Sequence, residues 1–260
     1  MADLTEIVRD LIDEGNSLDE LVAPLGVLGW QEPTPAPGWS IAHQIAHLRW
    51  TDQAAIAAMT DNERWQAILD SRHSSPHLVD EQADSGAALH PDELLATWRQ
   101  SRNEVAEALL AVPAGTKLPW FGPPMNPLSM ATARLMETWA HGQDIADGLD
   151  IERVPTDRIR HVAYIAYRAR DFAFAANNLQ PPAEPFYMEL LSPSNQIWVF
   201  GEDSASQRVT GSAIDFCLLA TQRRHRDDCD VHATGPDADT WLNIAQAFAG
   251  PPGSGRGRNG

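Results

Sequence analysis

The sequence has 260 residues, a mass of 28.5 kDa and 36 acidic against 19 basic side chains, a formal net charge of −17. Nucleic acids and anionic membrane surfaces attract basic proteins, so this charge argues against both as partners. No apolar run reaches the roughly 18 residues that span a bilayer, and the acidic N-terminus lacks the features of a secretory signal. Two cysteines are too few for a disulfide framework. We therefore expect a soluble, cytoplasmic protein of one or two domains.

Apolar residues recur at helical spacing in four long segments of the N-terminal half. The first segment predicts one amphipathic helix, or two short helices separated near Gly15 and Asn16 with a capping box at Ser17 and Glu20. The four predicted helices are 3–25, 41–59 behind an N-cap at Ser40, 91–110 behind His90, and 128–149. Four long helices with crossover loops predict an antiparallel bundle.

Three other segments of this half predict loops, and one predicts a short helix. Residues 31–38 (QEPTPAPG) and 113–127 are rich in Pro and Gly, while 72–88 is polar and reads as a surface loop. The 113–127 loop either lines a pocket or packs on the surface. Asp61 is a candidate N-cap for a short helix over 63–72.

The pattern changes after Asp150, where short β-rich runs alternate with helices. The predicted elements are a helix over 155–179, a hairpin formed by 186–191 and 196–200, a strand at 208–210, a helix over 212–225, a strand at 230–234 and a helix over 237–250. This order predicts an α+β protein with a helical domain at 1–150, a small α+β domain at 151–250 and a disordered tail at 251–260.

Three side chains form the candidate chemical constellation: His47, Glu137 and His141. Glu137 and His141 are four residues apart, so their side chains leave one helix face one turn apart and can meet one metal ion. His47 lies on the second helix, which can face the fourth across the core of the bundle. Two histidines and one carboxylate leave open coordination positions, as in catalytic zinc or non-haem iron centres.

Two motifs resemble a known family. Residues 39–48 (WSIAHQIAHL) resemble the helix start of the DinB-like metal-binding superfamily. Residues 137–145 (ETWAHGQDI) resemble the E-x-x-x-H-x-x-D segment of its mycothiol-dependent maleylpyruvate isomerase branch. The resemblance implies a DinB-like four-helix bundle followed by a small α+β domain. It also implies a divalent metal, most often Zn²⁺, bound by His47, Glu137 and His141.

The resemblance leaves two neighbouring side chains with open roles. The motif places the ligand directly before Leu48, which favours His47 over His43 and makes His43 a nearby supporting or core residue. Asp144 projects from the same stripe as Glu137, where it could orient a metal-bound imidazole or accept a proton. Alternatively, Asp144 forms a salt bridge on the helix face, for instance with Arg134.

The family uses mycothiol, a low-molecular-weight thiol, as its cosubstrate. The resemblance therefore implies an isomerase or S-transferase that adds this thiol to a small electrophile. It also implies an arginine of the C-terminal domain that holds substrate or thiol, for which Arg223 and Arg224 are the candidates. The simpler account of these two arginines is that they lie at a solvated helix end. Cys217 and Cys229 are not needed as nucleophiles.

Two alternatives remain at this point. The same ion could activate water, which would make the protein a metal-dependent hydrolase. The chain could also be a non-catalytic metal- or ligand-binding protein whose second domain holds an apolar molecule, as sterol-carrier-like domains do.

Overall fold

The computed structural model describes residues 3–253 and 255–258. The chain forms two compact units, Met1–Arg153 and Val154–Gly260. Among the described residues, no helix combines the length and the apolar character needed to cross a bilayer. The predicted α+β class, a helical bundle followed by a small α+β region, is confirmed.

The first unit is entirely helical. Its helices are α1 (Leu4–Val22), α2 (Ile41–Thr60), α3 (Asn62–Ser74), α4 (Leu78–Ala87), α5 (Pro91–Ala111) and α6 (Pro127–Gly148). The four long helices contact one another in the ring α1–α6–α2–α5, which is the packing of a four-helix bundle. Leu18, Ile45, Leu94 and Ile145 each come from a different helix of this ring, and all are fully buried. This shared core fixes α2 against α6.

Helix α1 is continuous through Gly15, so the alternative of two short helices is wrong. A Cβ atom at Gly15 would lie 2.8 Å from Nη1 of Arg102, which shows that this glycine permits close packing and does not end the helix. The predicted capping box is also absent, because Ser17 donates its hydroxyl proton to the carbonyl of Asp13. Asp3 is the observed N-cap and accepts from the backbone N–H of Glu6.

The prediction of a loop over 72–88 is wrong, because α3 continues to Ser74 and α4 follows almost at once. Helix α4 packs on α2 through small residues, and a Cβ atom at Gly86 would lie 2.6 Å from the Cβ of Ala46. Because the two helices approach so closely there, α4 packs on α2 with few large apolar side chains. Residues 113–127 are irregular until α6 begins, apart from an isolated bridge between Leu118 and Met125.

The second unit combines a four-stranded sheet with short helices. Its elements are α7 (Arg160–Arg168), α8 (Arg170–Ala176), β1 (Phe186–Leu191), β2 (Ile197–Phe200), β3 (Gln207–Ser212), α9 (Ala213–Ala220), β4 (Val231–Thr234) and α10 (Pro236–Ile244). The strand order is β2–β1–β3–β4. Strand β1 pairs antiparallel with β2, as the predicted hairpin requires, and parallel with β3, while β3 pairs antiparallel with β4.

Three predicted helices of this unit end earlier than the sequence pattern indicates. The 155–179 segment divides at Ala169 and ends before Asn178, which adopts a left-handed conformation with φ of 58°. The 212–225 segment ends at Ala220, because Gln222 takes φ of 62° and the N–H of Arg223 turns back to the carbonyl of Leu218. Both endings resemble glycine-type helix caps made by other residues.

The last predicted helix, 237–250, begins at Pro236 behind Gly235 and ends at Ile244. Asp237 therefore lies in the first turn of this helix. The chain leaves the helix because the N–H of Ala247 donates to the carbonyl of Ala220. Of the predicted disordered tail, 251–260, the described residues 251–253 and 255–258 contain no helix or strand, and the rest lies outside the described residues.

Candidate metal centre

Helices α2 and α6 position the three candidate ligands, and each begins at a side-chain cap. At α2, Nδ1 of His43 accepts from the backbone N–H of Ser40 at 3.2 Å. At α6, the side chain of Asn126 accepts from the backbone N–H of Ser129 at 2.8 Å, and Pro127 occupies the first turn. Because the two helices pack directly against each other, His47 meets the face of α6 that carries the other two ligands.

The ligand atoms form one tight cluster. Glu137 Oε2 lies 3.2 Å from His141 Nε2 and 3.5 Å from His47 Nε2. The two imidazole rings are 4.5 Å apart between centroids, and one ligand atom from each of the three residues lies within 4.8 Å of the others. His47 and Glu137, which are 90 positions apart in the sequence, thus lie side by side in the structure.

Burial sets the charges of this cluster. Loss of solvent, together with the nearby His141, lowers the pKa of His47 to about 4, so this imidazole is neutral at neutral pH. Burial alone would raise the pKa of Glu137, but hydrogen bonds and charge from His141 and His47 hold it well below its usual range. The site thus offers a neutral imidazole and a carboxylate, both in the protonation state that metals require.

His141 is held by a buried amide. Its Nδ1 lies 2.5 Å from Oε1 of Gln44, a residue of α2 with no exposed surface. Oδ2 of Asp144 is 3.9 Å from the same Nδ1, beyond hydrogen-bonding distance. The sequence pattern indicates Asp144 and gives no sign of Gln44. Arg134, a possible partner of Asp144, forms a buried ion pair with Asp52.

His43 is separate from the cluster, and both of its ring nitrogens have partners. Nδ1 faces Ser40, and Nε2 lies 3.1 Å from Oδ1 of Asp84 on α4. His43 therefore caps α2 and links it to α4.

Aromatic rings surround the two histidines. The Trp39 ring lies 6.0 Å from that of His141 with an interplanar angle of 21°, and 5.3 Å from that of His47. On the other side of His47, Trp50 stacks on Phe121 of the 113–127 loop at 6.0 Å. The tip of that loop therefore packs against aromatic side chains beside the cluster.

Arg223 and Arg224 belong to the second unit and follow the end of α9. Nη1 of Arg224 lies 2.6 Å from Oδ1 of Asp215, and Nη1 of Arg223 donates to the carbonyl of Thr221. Cys217 is buried. The role of the two arginines toward a substrate stays a prediction.

The cluster fits a small divalent ion. Zinc bonds of about 2.1 Å to tetrahedral ligands separate those ligands by about 3.4 Å. The observed separations of 3.2 and 3.5 Å bracket this distance. In addition, the buried Nδ1 of His47 has no hydrogen-bond partner among the described residues. Two imidazoles and one carboxylate are borderline donors of the kind that zinc and related ions bind.

The burial of His47 makes the stability of the metal-free protein depend on pH. An unfolded histidine takes up a proton near pH 6.5, whereas folded His47 does so only near pH 4. Protonation therefore favours the unfolded chain. We expect the free energy of unfolding to fall as the pH is lowered from 6.5 to 4, by about 3 kcal/mol at most.

Urea denaturation of the metal-free protein at several pH values within this window measures the effect. A His47→Gln variant is the control and should show a flatter dependence. An identical slope for the two proteins would show that His47 does not cause it.

The three residues of this cluster lie within a region that matches a known protein family. Residues 11–146 match the family described as the mycothiol maleylpyruvate isomerase N-terminal domain. The chain belongs to this family. Residues 182–234 also match a family described as wyosine base formation, which covers the strands β1 to β4 of the second unit. The family resemblance that the two motifs predicted is thus confirmed.

Curated relatives extend over nearly the whole chain. Two uncharacterized proteins from two strains of Mycobacterium tuberculosis are each 55% identical to it over 257 residues, which is 98% of this chain and 100% of each relative. This similarity therefore includes both units, beyond the residues that match the isomerase family.

Solved structures show the same fold. A crystal structure of the mycothiol-dependent maleylpyruvate isomerase matches with a TM-score of 0.61 and 17% identity, covering 91% of this chain and 96% of that one. A histidine-to-alanine mutant of that enzyme matches equally well. At this identity the match establishes that isomerase family members and this chain share one architecture.

Proposed function

We propose that this protein is a divalent-metal-dependent enzyme that uses mycothiol to isomerise or S-conjugate a small electrophile. The observation that carries the proposal is the cluster of His47, Glu137 and His141 in a member of the mycothiol maleylpyruvate isomerase family.

His47, Glu137 and His141 would hold the ion, and Zn²⁺ is the proposed metal. A divalent cation bound there supplies a positive charge that lowers the pKa of a thiol, so that the reactive thiolate forms near neutral pH. Three protein ligands leave room for an exogenous ligand, whereas a fourth protein ligand would favour a structural site. Among the described residues, the cluster contains these three side chains and no fourth.

The thiol sulfur would form a bond to an electrophilic carbon of the substrate. If a bond of the adduct then rotates and the same thiol leaves, the product is an isomer and mycothiol is regenerated. If the adduct is released, the product is an S-conjugate. The protein's own thiols are poor substitutes for the cosubstrate, because burial raises the pKa of Cys229 to about 12 and also raises that of Cys217.

Several side chains are proposed to handle the substrate. Trp50, beside His47, and Phe121, which stacks on Trp50, are both partly exposed and offer an apolar surface to the carbon skeleton of the substrate. Asp144, close to His141, is proposed to support that imidazole or to accept a proton. Arg223 or Arg224 is proposed to hold a carboxylate of the substrate or the thiol.

The direct test is incubation of the zinc-loaded protein with mycothiol and a panel of small electrophiles, followed by mass spectrometry. We expect formation of the S-conjugate, or isomerisation without a change in substrate mass, and we expect both to require the thiol. Turnover of an ester or amide without mycothiol would instead support a hydrolase, and retention of an apolar molecule without turnover would support a binding protein. Either result contradicts the proposal.

A further inference from the structure

A series of hydrogen bonds reaches the ring of His141. Oε1 of Gln44 lies 2.5 Å from Nδ1 of His141, and Nε2 of Gln44 donates to the Thr34 hydroxyl at 2.8 Å. That hydroxyl in turn donates to the backbone carbonyl of Trp39 at 2.9 Å. Gln44 is fully buried and Thr34 nearly so.

The direction of this series of hydrogen bonds fixes the orientation of the Gln44 amide. The hydroxyl proton of Thr34 points to the Trp39 carbonyl, so the Thr34 oxygen accepts and the amide NH₂ of Gln44 must face it. The carbonyl oxygen of Gln44 therefore faces His141. Because a carbonyl oxygen can only accept, the proton of this hydrogen bond sits on Nδ1 of His141.

A proton held on Nδ1 leaves Nε2 as the nitrogen that binds a metal. Nε2 of His141 faces Oε2 of Glu137 at 3.2 Å. With the proton on Nδ1, Nε2 and the Glu137 oxygen are both acceptors, so a cation between them would favour their close approach. The Gln44 contact thus selects the tautomer that the site needs.

The loop 33–40, which carries Thr34 and Trp39, also restricts the plane of the His141 ring. Trp39, whose carbonyl ends the hydrogen-bond chain, stacks on His141 with an interplanar angle of 21°. The loop is closed by an isolated bridge between Pro33 and Ser40. His141 is therefore held at its edge by Gln44 and across its face by Trp39.

We propose that Gln44 is a positioning residue that fixes the Nδ1–H tautomer and the orientation of His141 for metal binding. This inference rests on the proposed metal site. It assigns to a neutral amide the role that a carboxylate commonly has beside a metal-bound histidine.

The affinity test compares Gln44→Met, which keeps the length of the side chain but removes the acceptor, with Gln44→Glu, which keeps an acceptor oxygen. Competition for Zn²⁺ against a chromogenic chelator measures the affinity of each. We expect Gln44→Met to bind Zn²⁺ about 10- to 100-fold more weakly than wild type, and Gln44→Glu to stay close to wild type. Gln143→Leu is the matched control, because its amide bonds Asp147 and should leave affinity unchanged.

The tautomer is tested without any metal. Nitrogen-15 NMR of the metal-free protein at alkaline pH should show the proton of neutral His141 on Nδ1 in wild type. In Gln44→Met it should move to Nε2, where Glu137 is the remaining acceptor. An Nε2–H tautomer in wild type, or equal Zn²⁺ affinity of Gln44→Met and wild type, would overturn the role of Gln44. If wild type binds no Zn²⁺, the proposed function fails, while the tautomer still decides the Gln44 proposal.

Discussion

Alanine at His47 or at His141 should abolish both metal binding and catalysis. Each variant removes one of three ligand atoms that lie within 4.8 Å of one another. Loss of a residue that only orients a ligand already weakens metal binding about 10- to 100-fold, so loss of a ligand should cost more than about 100-fold. Metal analysis of the purified variants and the mycothiol assay measure the two effects.

His43→Ala is the matched control for these variants. His43 lies one turn before His47 on the same helix, but its ring caps α2 and contacts Asp84. We expect this variant to lose about 1 kcal/mol of stability with its cap and to keep its metal. Full activity of a metal-free His47→Ala protein would refute the proposed chemistry, and loss of metal from His43→Ala would show that the ligand set is wrong.

Asparagine at Asp52 should destabilise the bundle by about 3–5 kcal/mol, because it leaves Arg134 buried and uncompensated. The two side chains are only 1% and 5% exposed, and Nη2 of Arg134 lies 3.0 Å from Oδ1 of Asp52. The pair joins α2 to α6, the helices that carry the candidate metal ligands. Urea denaturation of the metal-free variant measures the loss.

Arg134→Met should cost less than Asp52→Asn. Burial raises the pKa of Asp52, despite Arg134 and Ser101, so this carboxyl can take up a proton when its partner is removed. Arginine has no such option, since it stays charged in proteins. Asp203→Asn, which breaks the surface pair of a highly exposed Asp203 with a partly exposed Arg208, is the control and should cost less than about 1 kcal/mol. Equal losses for Asp52→Asn and Asp203→Asn would contradict this interpretation.

The sequence contained the signals for the bundle and the ligands because both are periodic. The four-residue spacing of Glu137 and His141 defines a helix face, and His47 lies within a recognisable helix start. Gln44 gave no such signal. It is not a metal ligand, and its partner His141 is 97 residues away, so its role becomes visible only when α2 and α6 are packed together.

Helix α4 and the early ends of two helices in the second unit also depend on features that the sequence pattern does not display. Helix α4 buries mainly small residues and approaches α2 through Gly86 and Ala46, so its apolar pattern is too weak to reveal it. The predicted helices that contain Asn178 and Gln222 extend beyond the observed helix ends. These residues adopt left-handed backbone conformations that sequence rules reserve mainly for glycine.

The donors on α2 and α6 are separated in the chain by three further helices. An unfolded chain has no reason to bring them together, so an ion that binds them favours the native state by mass action. If the proposed ion binds there, the cellular lifetime of the protein would follow the metal supply. In a metal-starved cell more molecules would unfold and be degraded by proteases, so the proposed activity would fall through loss of protein as well as through loss of metal.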